Sequence, residues 1–385
     1  MKICFVGLDN LPVLAPEFER LPIGGESVQQ TLLARAMMRR GCEVSMVVAD
    51  RGQPDGAAWS GIRAFNAYRP EAGFPVLRFL HPRWTRMWSA LARADADLYY
   101  TSCAGMHVGL MALFCRRYRR RFVFRAASDP DCDRARLPLL VRHARDRWLY
   151  TYGLRRADAI LVQSAVQADA LARSYGLPSR IAGMLVDTPP FSTTRDIDVL
   201  WVGNIKRVKR PDRILEIAEK LPGARIHVAG GETPGEEPLF EAFSRGVARS
   251  PSLVYHGRLP YAAAAALYGR SRLLVNTSDV EGFPNAYLQS WASGVPVVTL
   301  IDPDGIIAIE GLGVVARSDS ELSAAIGALL GDAASWNAAS ARCRAYMARE
   351  YSEERITTDY LDTFRTVMRI PSVTGRGLAP SRHHV

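Results

Sequence analysis

The chain has little that would place it in a membrane, a metal site or an oxidoreductase. Its longest uncharged apolar run beside a helix, VGLMALFC at Val108–Cys115, is about eight residues. A bilayer-spanning helix needs about 20, so no spanning segment is expected. No secretory signal is legible, since Met1-Lys2 leads straight into the apolar run ICFVGL. None of the six cysteines (Cys4, Cys42, Cys103, Cys115, Cys132, Cys343) falls in CxxC or another metal-ligand spacing. They are expected to be reduced, mostly buried thiols of a cytosolic protein. The first strand is not followed by GxGxxG, which disfavours NAD and FAD. Asp129, Asp131 and Asp133 are not part of a DxDxDG loop, which disfavours a calcium site. An RNP-type strand, a zinc module and basic heptads are all missing, so nucleic acid is not an expected partner.

What is present is positive charge. Lysine and arginine outnumber aspartate and glutamate by 49 to 39, a net charge of +10. An excess of this size calls for an anionic partner, and with nucleic acid set aside a phosphorylated small molecule or an anionic membrane surface remains. The length of 385 residues allows two or three domains, each with its own core.

The pattern along the chain is α/β. A strand at Lys2–Leu8 leads through a proline-rich loop to Gly24-Gly25-Glu26-Ser27. A helix capped by Ser27 and stopped at Gly41 follows, and then a strand at Glu43–Ala49. Residues 51–88 read as irregular. After a helix through Cys115 come Arg116, Arg117, Tyr118, Arg119, Arg120 and Arg121. Five arginines at a helix end suit the dipole and solvent, or an anionic leaflet, where each contributes about 1 kcal/mol. The strand Phe122–Ala126 opens into the acidic loop ASDPDCDR, and a long basic helix is expected over Ala135–Ala157.

A Pro/Thr/Ser-rich stretch, Val186–Asp196, reads as a domain boundary. The α/β pattern then restarts with the strand Ile197–Val202. Gly203 ends it, and the loop NIKRVKRPD carries Lys206, Arg207, Lys209 and Arg210 ahead of a helix with Pro211 near its first position. Four cations at the carboxyl end of a strand suit a diphosphate. Further on, VNTSDVEGFPNAYLQSWASGVPVV (Val275–Val298) reads as strand, loop, helix and strand. Gly282 stands where backbone must come close to something, and Gly282, Phe283, Pro284, Asn285 and Ala286 lead into the helix, whose N-terminus suits phosphate. Glu281 at the loop exit can accept hydrogen bonds from a polyol. Gln289, two turns on, can reach a second polar group of the same ligand.

This last stretch resembles the donor-sugar motif of family 4 retaining glycosyltransferases, in which two glutamates are separated by seven residues. Glu281 matches the first glutamate, and Gln289 replaces the second. The resemblance runs from Lys2 to about Met368 and implies a fold of two Rossmann-like, doubly wound α/β domains facing across a cleft (GT-B type). Residues 1–190 would bind the acceptor and residues 191–350 the nucleotide-sugar donor. A C-terminal helix (351–370) would cross back onto the first domain, and residues 371–385 would be a disordered tail. By the same resemblance Glu281 binds the donor sugar and Gln289 the ribose. Lys209 matches the lysine that binds the diphosphate. The matching arginine position is Asn204, so Lys206 or Arg207 would substitute. Gly24 and Gly25 would let the first loop approach the donor phosphates, Gly203 would end the strand beneath them, and Asp129 would touch the acceptor or act as base. The turn Asp302–Gly305 would line the nucleotide site.

The activity implied is retaining transfer of a sugar from a nucleotide-diphosphate sugar to a glycan, lipid-linked or small-molecule acceptor. No metal or other cofactor is expected, because fixed cations and a helix N-terminus stand where a DxD metal loop would otherwise serve. Two other readings fit the same residues: a nucleotide-sugar 2-epimerase of the same architecture, and a non-catalytic protein that binds nucleotide sugar or anionic lipid. The expected location is cytoplasmic, with peripheral attachment to the membrane's inner face through the five arginines.

Overall fold

A computed structural model of the chain describes residues 1–74, 77–187 and 194–369. Most of the proline-rich linker and the proposed tail lie outside these residues.

The first sheet contains β1 (Lys2–Val6), β2 (Glu43–Val48), β3 (Ala58–Trp59), β4 (Ile62–Asn66), β5 (Leu98–Ser102), β6 (Arg121–Arg125), β7 (Ala159–Val162) and β8 (Arg180–Ile181). Their order is β3-β4-β2-β1-β5-β6-β7-β8, and every pairing but β3–β4 is parallel. Short, almost wholly apolar strands such as ICFV and FVF are what a sheet covered on both faces requires. The second sheet contains β9 (Ile197–Val202), β10 (Ile226–Ala229), β11 (Leu253–Tyr255), β12 (Ser271–Asn276), β13 (Val297–Thr299) and β14 (Gly313–Val315). It is all parallel, in the order β11-β10-β9-β12-β13-β14. Apolar clusters cover both faces of each sheet.

Both sheets are doubly wound. The strand order reverses beside the first strand of each, between β1 and β5 and between β9 and β12. Ligand crevices form at such switch points, outside the carboxyl ends of the strands. The closing helix, Glu353–Arg369, belongs in space to the first sheet. Its Ile356, Tyr360, Leu361, Phe364 and Val367 are buried against residues such as Phe5 and Tyr100.

Four local readings are corrected. The basic stretch is not one helix: Pro138 opens a single 3-10 turn (Leu137–Leu139), and the α-helix spans only Ala144–Leu154. Residues 51–88 are not wholly irregular, since they hold β3 and β4. The first long helix starts at Gly25, with Gly24 rather than Ser27 at its N-cap, and Ser27 is buried within its first turn. The arginine run is only partly a free surface. Arg120 pairs with Asp95 at 2.6 Å, and Arg121, which opens β6, pairs with Asp158 at 3.1 Å. Because β6 begins at Arg121, the run lies at the amino ends of the strands, the edge of the sheet away from the crevice.

Candidate active site

At the switch point of the second sheet, β9 and β12 lie side by side although β10 and β11 separate them in sequence. The loops that leave their carboxyl ends therefore meet. The β9 loop passes through a 3-10 turn at Arg207–Lys209, and the β12 loop carries Glu281. Three hydrogen bonds lace them together. Asp279 donates its backbone N–H to the Val208 carbonyl (3.0 Å). The Thr277 hydroxyl donates to the Lys209 carbonyl (2.7 Å) and accepts from the Trp201 indole N–H (2.8 Å). So fixed, the Lys209 ammonium forms an ion pair with Glu281 Oε1. The same oxygen accepts from the Ser278 hydroxyl at 2.6 Å and from Asn276 Nδ2 at 3.4 Å. Both charged side chains are mostly buried, at 23% and 12% exposed.

The cleft between the two sheets has a volume of about 900 Å³, enough for a nucleotide-sized ligand. From the second half, Gly203, Asn204, Lys206, Lys209, Glu281, Gly282, Phe283, Pro284, Asn285, Ala286 and Gln289 line it. Gly24, Gly25 and Asp129 line the opposite wall. Arg207 does not: it is exposed, its backbone N–H donates to Glu236 Oε1 (3.3 Å) and its carbonyl accepts from the Arg210 N–H (3.1 Å). Lys206 is the second cation of the β9 loop that the structure brings to the cleft. Burial, and then repulsion from Lys209, holds its pKa below the usual lysine range.

The helix Asn285–Ala292 buries Tyr287, Leu288 and Trp291 against the second core. That orientation turns Asn285, Ala286 and Gln289 toward the cleft, where Gln289 Nε2 donates to the Tyr261 hydroxyl at 3.0 Å. No side chain caps this helix, whose N-terminal position is Pro284.

The walls touch at several points. Asn204 Nδ2 donates to the Ile23 carbonyl (3.2 Å), Asn285 Nδ2 to the Gly25 carbonyl (2.7 Å) and the Phe283 N–H to Gln163 Oε1 (3.2 Å). At Gly282 a Cβ would stand 2.9 Å from Gln163 Oε1, 3.0 Å from Gln167 Nε2 and 3.3 Å from the Ser128 Cα. The glycine is needed for this cross-domain approach. The turn at Asp302–Gly305 does not line the cleft. Its Asp304 accepts backbone N–H groups of Ala165 (2.9 Å) and Val166 (3.3 Å), and so ties the two halves together by capping the 165–175 helix.

The acidic loop after β6 divides its labour. Asp131 is fully buried and accepts the N–H groups of Ala104, Ala127 and Ser128 at 2.7–2.9 Å, completing a capping box with Ser128. Asp129 is the cleft residue, held by Gln167 Nε2 at 3.1 Å, and burial raises its carboxyl above the usual range. Among the described residues no group of three or more His, Cys, Asp or Glu side chains is placed to hold a metal ion.

Sequence reasoning missed several cleft residues. Glu26 lines the first wall and pairs with the buried Arg125 at 2.9 Å. Its position just after the glycine pair was the available signal. Arg258 faces the second wall, packed on Gly231. No pattern announced it, because it lies in a loop without repeated charge.

Residues 23–182 match the family model Glycosyltransferase Family 4, and residues 196–332 match Glycosyl transferases group 1. The chain belongs to the family 4 glycosyltransferases. A D-inositol 3-phosphate glycosyltransferase of Mycolicibacterium paratuberculosis is 30% identical over 191 residues, 47% of this chain and 42% of that protein. Its counterpart in Mycobacterium avium is 28% identical over 190 residues, 47% of this chain and 44% of that one. The matched part therefore spans less than half the length of either relative. Sucrose-phosphate synthase from Thermosynechococcus elongatus superposes with a TM-score of 0.75 at 17% identity, over 95% of this chain and 99% of that one. The Anabaena protein HepE, solved with UDP and glucose, gives 0.73 at 15% identity, over 95% and 100%. At these identities the similarity to the two solved structures establishes the fold alone: two Rossmann-like domains facing across a cleft.

Proposed function

We propose that the protein is a retaining glycosyltransferase that moves a sugar from a nucleotide-diphosphate sugar to a glycan, lipid-linked or small-molecule acceptor without a metal ion. The observation that carries this reading is the meeting of Lys209 and Glu281 at the switch point of the second sheet. A cation beside a carboxylate at the mouth of a parallel sheet offers opposite contacts to one ligand. The ammonium suits the diphosphate, and the carboxylate accepts hydrogen bonds from sugar hydroxyls. Family membership and the neighbour solved with UDP and glucose support the same donor class.

In the reaction the bond from the anomeric carbon to the diphosphate oxygen breaks, and a bond from the same carbon to the acceptor oxygen forms. The ring passes through an oxocarbenium-like state while negative charge grows on the departing diphosphate. Lys209, Lys206 and the N-terminus of the 285–292 helix are already in place to stabilise that charge, which is the work a divalent ion would otherwise do. Gln289 addresses the ribose. Asp129, with a carboxyl raised by burial, faces the acceptor side, where a base nearer to neutrality is most effective. The touching walls exclude water, which favours transfer over hydrolysis.

Lys209→Ala and Glu281→Ala are each expected to lower turnover about 30- to 1000-fold, the effect of losing a charged contact worth about 2–4 kcal/mol in the transition state. Near-normal turnover in both would defeat the assignment. Activity that survives EDTA, and a product anomer identical to the donor's by NMR, test the other two clauses. Release of a free epimerised nucleotide sugar from donor alone would replace transfer with epimerisation.

A further inference from the structure

The arginine run that drew attention in the sequence points away from the cleft, but a second basic surface adjoins it. Residues 134–156 hold seven arginines and one acid, Asp146, which Arg145 Nε meets at 2.9 Å. Within this stretch large apolar side chains stand in solvent: Leu139 is 75% exposed and Trp148 65%. Leu139 and Leu140 also line the cleft, so the surface begins at its mouth. The helix Ala144–Leu154 buries Leu149, Tyr150, Gly153 and Leu154, and its outer face presents Arg145, Trp148 and Tyr152 at helical spacing. The Trp148 and Tyr152 rings stack at 5.7 Å, and the Arg156 guanidinium lies 5.3 Å from the Tyr152 ring centre. A second segment joins this face where Arg145 stacks 3.4 Å over Phe79, bringing the exposed Leu77 and Leu80 alongside.

We propose that this surface docks on an anionic phospholipid bilayer. Its exposed apolar side chains, Leu77, Leu80, Leu139, Leu140 and Trp148, stand among arginines that match an anionic surface. A tryptophan and arginines with apolar neighbours is the composition that settles at headgroup depth. Docked this way, the cleft mouth at Leu139 and Leu140 faces the membrane, and an acceptor held in the bilayer enters without crossing water. The proposal does not depend on the donor reading, because it concerns the first domain alone.

Sedimentation of the full chain with vesicles tests it. Binding is expected to phosphatidylcholine vesicles containing phosphatidylglycerol, to fall in high salt, and to be weak on phosphatidylcholine alone. The double variant Trp148→Ser/Leu80→Ser should lower partitioning at least ~10-fold, and Arg142→Ala should lower it about fivefold, with circular dichroism and thermal unfolding of the free protein unchanged. The triple variant Arg116→Ala/Arg117→Ala/Arg119→Ala, at the far edge of the sheet, should sediment like the parent. Equal binding to neutral and anionic vesicles overturns the proposal. So does loss of binding in the triple variant alone. A parent that is dimeric and ignores vesicles, made monomeric by the double variant, would show a self-interface instead.

Discussion

At the residue scale, Lys209 and Glu281 are partners before any ligand arrives, and a donor must enter between charges that already satisfy each other. Lys206 differs: among the described residues no carboxylate pairs with it directly, and the pull of Glu281 and Glu236 is outweighed. Burial and Lys209 both push its proton off, so the free protein holds it less tightly than an ordinary lysine does. A bound diphosphate would reverse that, raising its pKa as the negative charge favours the ammonium. The sign follows from linkage: the bound state holds the proton more tightly, so donor affinity falls as pH rises through the lowered pKa of the free protein. Titration calorimetry should show proton uptake on binding in that alkaline window, and weaker binding above it. Lys206→Met should bind the donor more weakly at neutral pH and lose most of this pH dependence. A pH profile unchanged by the substitution would exclude Lys206 from the diphosphate site.

At the scale of elements, the sequence made the strand–loop–helix unit around Glu281 readable because each signal there is local. The apolar strand, the glycine and the helix Asn285–Ala292 fall within one short window. The helix over Ala135–Ala157 was misread because basic composition is not helical periodicity, and Pro138 overrules it. β4 was missed since a five-residue strand among glycines and prolines shows no run long enough to register. In the acidic loop the resemblance singled out Asp129, which lines the cleft, but the residues alone could not say which aspartate caps, because that depends on burial. Now they are distinct. Asp131 is fully buried and holds three backbone N–H groups in place, so Asp131→Ala should lower unfolding stability by about 1–3 kcal/mol. Chemical denaturation would register that loss. Unchanged stability would mean that the capping box contributes nothing measurable.

At the scale of the whole molecule, the cleft is closed by contacts that no single motif encodes. Asn204 shows why. It stands where the family carries an arginine, and read in isolation it is a weakened phosphate clamp. In three dimensions its amide reaches the Ile23 carbonyl across the cleft, so the position serves domain contact. Asn285 does the same toward Gly25, and Gly282 lets the donor loop lie against the first domain. Gln163 and Gln167, which a Cβ at position 282 would meet, are not free to swing away. Gln163 accepts from Phe283, and Gln167 holds both Gln163 and Asp129. The Ser128 backbone behind them cannot yield without disturbing the capping box at the start of the Asp129–Cys132 helix. Gly282→Ala should therefore separate the domains rather than unfold either one. Solution scattering should report a larger radius of gyration, while donor binding, proposed to rest mainly on groups of the second domain, falls less than turnover does. Turnover should fall far more than binding, because the acceptor wall no longer meets the donor and water enters between them. If the variant kept the parent's radius and turnover, the closed arrangement would not be the one in which transfer occurs.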